Sequence, residues 1–158
     1  MGLFSFFKKS GSKKLEEAEK AAASAAADAE AIRQQKIKAL YDEVNDYGLD
    51  VKDLKIDLQD DTVVVHGEVE KQSTKELLVL TLGNMEGVAT VDDRVVVNNP
   101  EPEAVFYEVK SGDSLSKIAL AQYGDAQKYM KIFEANKPML KDPNMIYPGQ
   151  VLRIPPQS

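Results

Sequence analysis

The sequence predicts two small α+β units in tandem. Three observations carry the prediction. Before residue 100 the apolar residues switch between helical spacing and strict alternation, in the order helix–strand–strand–helix–strand. All seven prolines lie at or beyond Pro100. The stretch Asn98–Glu103 reads N-N-P-E-P-E, which is polar, stiff and unable to continue a strand. A length of 158 residues suits one ordinary domain or two small ones, and this break selects two.

Residues 1–36 are an opening segment. Phe4, Phe6 and Phe7 precede Lys8, Lys9, Lys13 and Lys14. A secretory signal has the reverse order, and Ser5 interrupts the apolar run. N-myristoylation needs Ser or Thr where Phe6 stands. Two readings stay open: an interfacial membrane anchor, or a segment that docks its aromatics on the chain's own core. The second is favoured. Residues 14–36 are rich in Ala, Glu and Lys, all strong helix formers, and Glu16 and Lys20 form an i,i+4 pair. They predict a solvated helix with little to bury.

The first unit spans 37–98. Ile37, Leu40, Tyr41, Val44 and Tyr47 make one apolar stripe, and Gly48 stops that helix. Leu54, Ile56 and Leu58 alternate with Lys55 and Asp57 in a half-buried strand, and Asp60-Asp61 turns the chain. Val63, Val65 and Val69 share one face of the next strand, with Val64, His66 and Glu68 on the other. Ser73–Glu76, S-T-K-E, has the form of a capping box. Leu77, Leu78, Leu80 and Leu82 follow, and Gly83 closes the helix. After the turn Gly83–Val88 a strand runs from Ala89 to Val97. Residues 99–104 are the linker, separating two units too small to share much core.

The second unit spans 105–155. A strand over Phe106–Lys110 leads to the turn Ser111–Asp113 and a helix carrying Leu115, Ile118 and Ala119 inward. Gly124-Asp125 breaks that helix. A second helix places Tyr129, Ile132, Phe133 and Asn136 on one face. Pro138 and Pro143 mark a loop, Tyr147–Gln150 a tight turn, and Val151–Ile154 a last strand.

Composition narrows the chemistry. Net charge is −6, whereas nucleic-acid-binding proteins carry a basic surplus. No window reaches the ~18 consecutive apolar residues of a membrane-spanning helix. With no Cys there are no disulfides, thiolate metal sites or cysteine nucleophiles, and with one His, His66, there is no multi-His site. Asp60-Asp61 and Asp92-Asp93 lack the D-x-[DN]-x-[DN]-G calcium loop and read as turn and solvated acids. Ser111–Ser114 has no base to activate a hydroxyl and reads as a turn and helix cap. His66 reads as a surface strand residue. Binding is expected, and enzyme activity is not.

Tyr107–Ala119, Asn136 and Ile146–Pro155 (I-Y-P-G-Q-V-L-R-I-P) make the second unit resemble the lysin motif, LysM. That resemblance implies binding of N-acetylglucosamine polymers such as peptidoglycan, through Gly112, Asp113, Ser114 and Leu115 on one loop and Met145, Ile146 and Tyr147 on the other. Val63–Val69 and Gly87–Asp93 make the first unit resemble a BON domain. A BON domain, a short linker and a C-terminal LysM together resemble the small bacterial potassium-binding proteins, most closely at Met1–Phe4, at Leu82–Val88 and from Ile132–Lys141 onward to Ile154. The resemblance implies a potassium ion (K+) held by backbone carbonyls of Phe7, Lys8 and Ser10 and of Gly83, Met85 and Val88. Carbonyl dipoles suit potassium because they replace a weak hydration shell without a fixed charge. It further implies a cytoplasmic, monomeric potassium sensor or stress-response protein that compacts when the ion binds. A cell-wall adaptor working through the LysM, or a BON domain docked on phospholipid, remains as an alternative.

Overall fold

The computed structural model describes residues 2–6 and 29–156. The chain opens on a strand that spacing did not predict, β1 (Gly2–Ser5). Helix α1 (Ala29–Asp46) follows, and Ile37, Leu40 and Val44 are its buried stripe. It begins in the Ala-rich stretch, of which residues 14–28 lie outside the described residues. Gly48 adopts φ +63°, as a helix-terminating glycine should. β2 (Lys52–Gln59) and β3 (Thr62–Lys71) pair antiparallel across a turn in which Asp60 is left-handed, with φ +57°.

Helix α2 (Gln72–Gly83) then crosses over to β4 (Thr90–Asn99), which lies parallel to β3. The sheet order is β1-β4-β3-β2, and β1 adds antiparallel to the edge of β4. Val63, Val65, Val69 and Val91 line the covered face, against Leu40 and Val44 of α1 and Leu78 and Leu82 of α2. Phe6 belongs to this core, and Phe4 packs against it. The opening aromatics therefore dock on the chain's own core at these two positions, while Phe7 lies outside the described residues.

The second unit comprises β5 (Val105–Glu108), α3 (Leu115–Tyr123), a 3-10 turn (Ala126–Lys128), α4 (Tyr129–Ala135) and β6 (Val151–Ile154). β5 and β6 pair antiparallel. Ser114 caps α3 by accepting the Lys117 N–H, and Gly124 ends it at φ +76°. Asn136 is fully buried. Its amide donates to the carbonyls of Ile132 and Arg153, and its oxygen accepts the Arg153 N–H at 2.8 Å. One side chain thus ties α4 to β6.

Three expectations are corrected. The S-T-K-E capping box does not form: α2 begins two residues earlier than that box requires, with Lys71 at the cap position and no side-chain cap bond. Glu76 is spent elsewhere, facing Arg153 of the second unit. Asp93 is not a solvated acid. It is fully buried, 3.1 Å from the Lys75 ammonium, and accepts the Val95 N–H. Nor are the units separate. All four residues of β6 are buried, and because strand side chains alternate they serve two sides. Leu152 and Ile154 fill the core of the second unit, whereas Val151 joins that of the first and Arg153 pairs with Glu76.

Candidate functional site

The turn after α2 is where the two units and the opening strand meet. Gly83 is the last residue of the helix, and Asn84 caps it in a right-handed conformation. Gly83 is therefore not a left-handed stop. A Cβ there would overlap the Phe6 ring, well inside the 3.0 Å that real Cβ atoms keep. The glycine permits a close approach of β1 to the helix end. Gly87 does need its freedom, with φ +98°.

Several hydrogen bonds link the backbone of this turn to its surroundings. The Asn84 N–H donates to the Leu80 carbonyl at 2.9 Å and the Val88 N–H to the Met85 carbonyl at 3.3 Å. The Ala89 N–H donates to the Asp61 carbonyl at 2.8 Å, which ties the turn's exit to the β2–β3 corner. The Phe6 N–H donates to the Ala89 carbonyl at 2.7 Å. Met85 and Val88 bury their side chains in the core, leaving only their backbone for chemistry. Among the described residues no hydrogen bond ends on the Val88 carbonyl. Phe7, Lys8 and Ser10 lie outside the described residues, one to four positions beyond the docked Phe6.

Two residues of this turn escaped sequence reasoning. Glu86 leaves one carboxylate oxygen, Oε2, buried without a hydrogen-bond partner among the described residues. Asn84 turns its side chain to the second unit. Its amide donates to the Val151 carbonyl and its oxygen accepts the Val151 N–H, both at 2.8 Å. The same amide lies 3.4 Å from the Met139 sulfur. The dipeptide G-N at a helix end signals a cap, but nothing local signals a partner in another unit.

A second contact lies further back along α2. Both Nε and Nη2 of Arg153 reach Oε1 of Glu76 at 2.8 Å. The other carboxylate oxygen accepts the Ala104 N–H and the Gln72 amide. Glu76 is 3% exposed and Arg153 8%, so this is a buried, hydrogen-bonded ion pair. Beside the Asn84 contact lies a cavity of about 280 Å³, lined by Glu43, Tyr47, Thr81 and Met85 on one side and Met145 and Tyr147 on the other. Burial, and then the Glu43 charge, push the Tyr147 hydroxyl above its ordinary pKa.

The loop residues singled out for glycan are divided. Leu115 is 2% exposed, a core residue. Asp113 accepts the Tyr107 hydroxyl at 2.6 Å and the Lys110 N–H at 2.8 Å. Ser114 is the α3 cap, and the Gly112 carbonyl takes the Lys117 ammonium at 3.1 Å. Ile146 packs on the second core, Tyr147 faces the cavity, and Met145 stands 70% exposed at its edge. Among the described residues no three His, Asp or Glu side chains gather as a metal site, and no helix is long and apolar enough to cross a membrane.

Residues 29–99 match the BON domain family and residues 107–155 the LysM domain family. Over 156 residues, covering 98% of this chain and 99% of the relative, the sequence is 42% identical to the potassium binding protein Kbp of Escherichia coli O6:H1 strain CFT073. The chain belongs to the Kbp family. An uncharacterized protein of Deinococcus radiodurans is 33% identical over 105 residues, 60% of this chain and 41% of the relative. In this Kbp-family chain the BON and LysM units meet through β6, Asn84 and Glu76, and the fold is mixed α+β as the element order predicted.

Proposed function

We propose that this chain binds potassium, with the ion held by backbone carbonyls of Gly83, Met85 and Val88 and of Phe7, Lys8 and Ser10. The observation that carries the reading is the convergence at the α2 end. Phe6 is bonded to Ala89 and seated against Gly83, so the described opening segment ends beside the turn. Membership of the family of a protein named for potassium binding supports the same ion. The residues also fit a cation on physical grounds. A carboxylate oxygen buried without a donor among the described residues, as at Glu86, is costly, and a nearby positive charge offsets that cost. Carbonyls favour a large, weakly hydrated ion, whereas magnesium keeps its water and its octahedron.

On this reading the protein acts in the cytoplasm as a monomeric potassium sensor, with a role in stress response and no catalysis. The ion ties the opening segment to the BON domain and draws the LysM domain against it. A ligand that binds only the ordered state adds RT ln(1 + [L]/Kd), about 2.7 kcal/mol at a hundredfold excess over Kd. Melting temperature should rise with KCl and much less with NaCl at equal ionic strength; equal shifts would refute the reading. Glu86→Gln removes the charge and keeps the shape. It should weaken potassium binding about tenfold, or ~1.4 kcal/mol, by calorimetric titration.

A second ligand class, an N-acetylglucosamine polymer on the LysM, is favoured by the exposed Met145 on the second glycan loop. Retention on purified peptidoglycan, lost in Met145→Asp, would support it.

A further inference from the structure

We propose that Asn84 is the positioning residue through which occupancy of the potassium turn sets the docking of the LysM domain. The inference rests on the potassium reading above and names how that site is read out. Asn84 lies between two of the assigned carbonyls, those of Gly83 and Met85, so an ion that fixes those carbonyls fixes the Asn84 backbone. Its side chain is a two-bond clamp on one peptide of the LysM, the N–H and C=O of Val151, at 2.8 Å each.

Val151 is well placed to pass the constraint on. It opens β6, it packs in the BON core, and its neighbour Gln150 pairs with Val109 in the β5–β6 ladder region at 2.8 Å. The Glu76–Arg153 pair grips the same strand from the middle of α2, away from the turn. The two contacts therefore have different tasks. Glu76 holds β6 to the helix whether or not an ion is present. Asn84 holds it only as well as the turn is ordered. Linkage makes the effect reciprocal: a docked LysM that fixes Asn84 tightens the potassium site by the same factor.

The LysM itself provides an internal control. The Val151 N–H is held by the Asn84 side-chain oxygen across the seam, and the Arg153 N–H by the Asn136 side-chain oxygen within the LysM, both at 2.8 Å. Amide hydrogen exchange on the full chain, in KCl and in NaCl at equal ionic strength, compares the two. The expected result is that KCl slows exchange at Val151 several-fold more than at Arg153. Unchanged Val151 protection, or an equal change at both, overturns the proposal. In Asn84→Ala, potassium should still shift the amides of residues 83–88, with weaker affinity, but no longer those of 151–154. Transmission to β6 as strong as in the unmodified chain overturns the proposal. If potassium moves no amide of residues 83–88 in the unmodified chain, the potassium reading itself fails, a separate outcome from either of these.

Discussion

Gly83 shows how far a single residue can be read. Its place after a leucine-rich run marks a helix end, and the helix does end there. The reason for glycine is not its backbone freedom, however, but the Phe6 ring where a Cβ would stand. That partner lies at the far end of the sequence, so no local pattern carries it. Gly83→Ala should cost about 1–3 kcal/mol through overpacking, read from urea unfolding, and should loosen β1. Phe6→Leu in the same chain should recover part of that loss. Tyr107 offers a second check. Its hydroxyl donates to Asp113, and this bond, then burial, raise its pKa to about 12 from 10.0. Between those values the folded chain keeps a proton that the unfolded chain has lost. Stability from this group is full below about pH 10 and is lost as pH rises toward 12. Tyr107→Phe should flatten that part of the stability–pH curve.

At the scale of elements, periodicity identified the pieces well and their ends less well. The alternation of Val63, Val65 and Val69 and the stripe of Ile37, Leu40 and Val44 are core faces, because burial on one side imposes the period. β1 was not legible: four residues with one aromatic carry no period, and the unpaired edge of β4 makes them a strand. The S-T-K-E motif misled for a related reason. A capping box needs a glutamate free to turn back, and Glu76 gains more from Arg153, Ala104 and Gln72. Breaking that pair leaves a buried charge alone. Arg153→Ala should therefore cost about 3–5 kcal/mol by urea unfolding, while the double replacement Glu76→Met with Arg153→Met should recover most of it. A loss under about 1 kcal/mol would mean that the pair is solvated in solution.

Across the whole molecule, two α+β units were legible and the seam between them was not. The prolines at 100 and 102 lie between the end of β4 and the start of β5, but an interruption of regular structure is not a break in the packing. β6 has one face for each unit, an arrangement that a strand of only four residues cannot disclose by itself. The candidate site was legible only through family resemblance. A backbone site places few demands on side chains, and the features that single out Asn84 and Glu86 are a bond to a distant peptide and a buried oxygen. The most direct test is crystallographic. Crystals grown with rubidium in place of potassium should show one anomalous peak within coordination distance of the Gly83, Met85 and Val88 carbonyls and of the segment just after Phe6. A rubidium peak elsewhere, or none at this turn with the segment ordered away from it, would contradict the account.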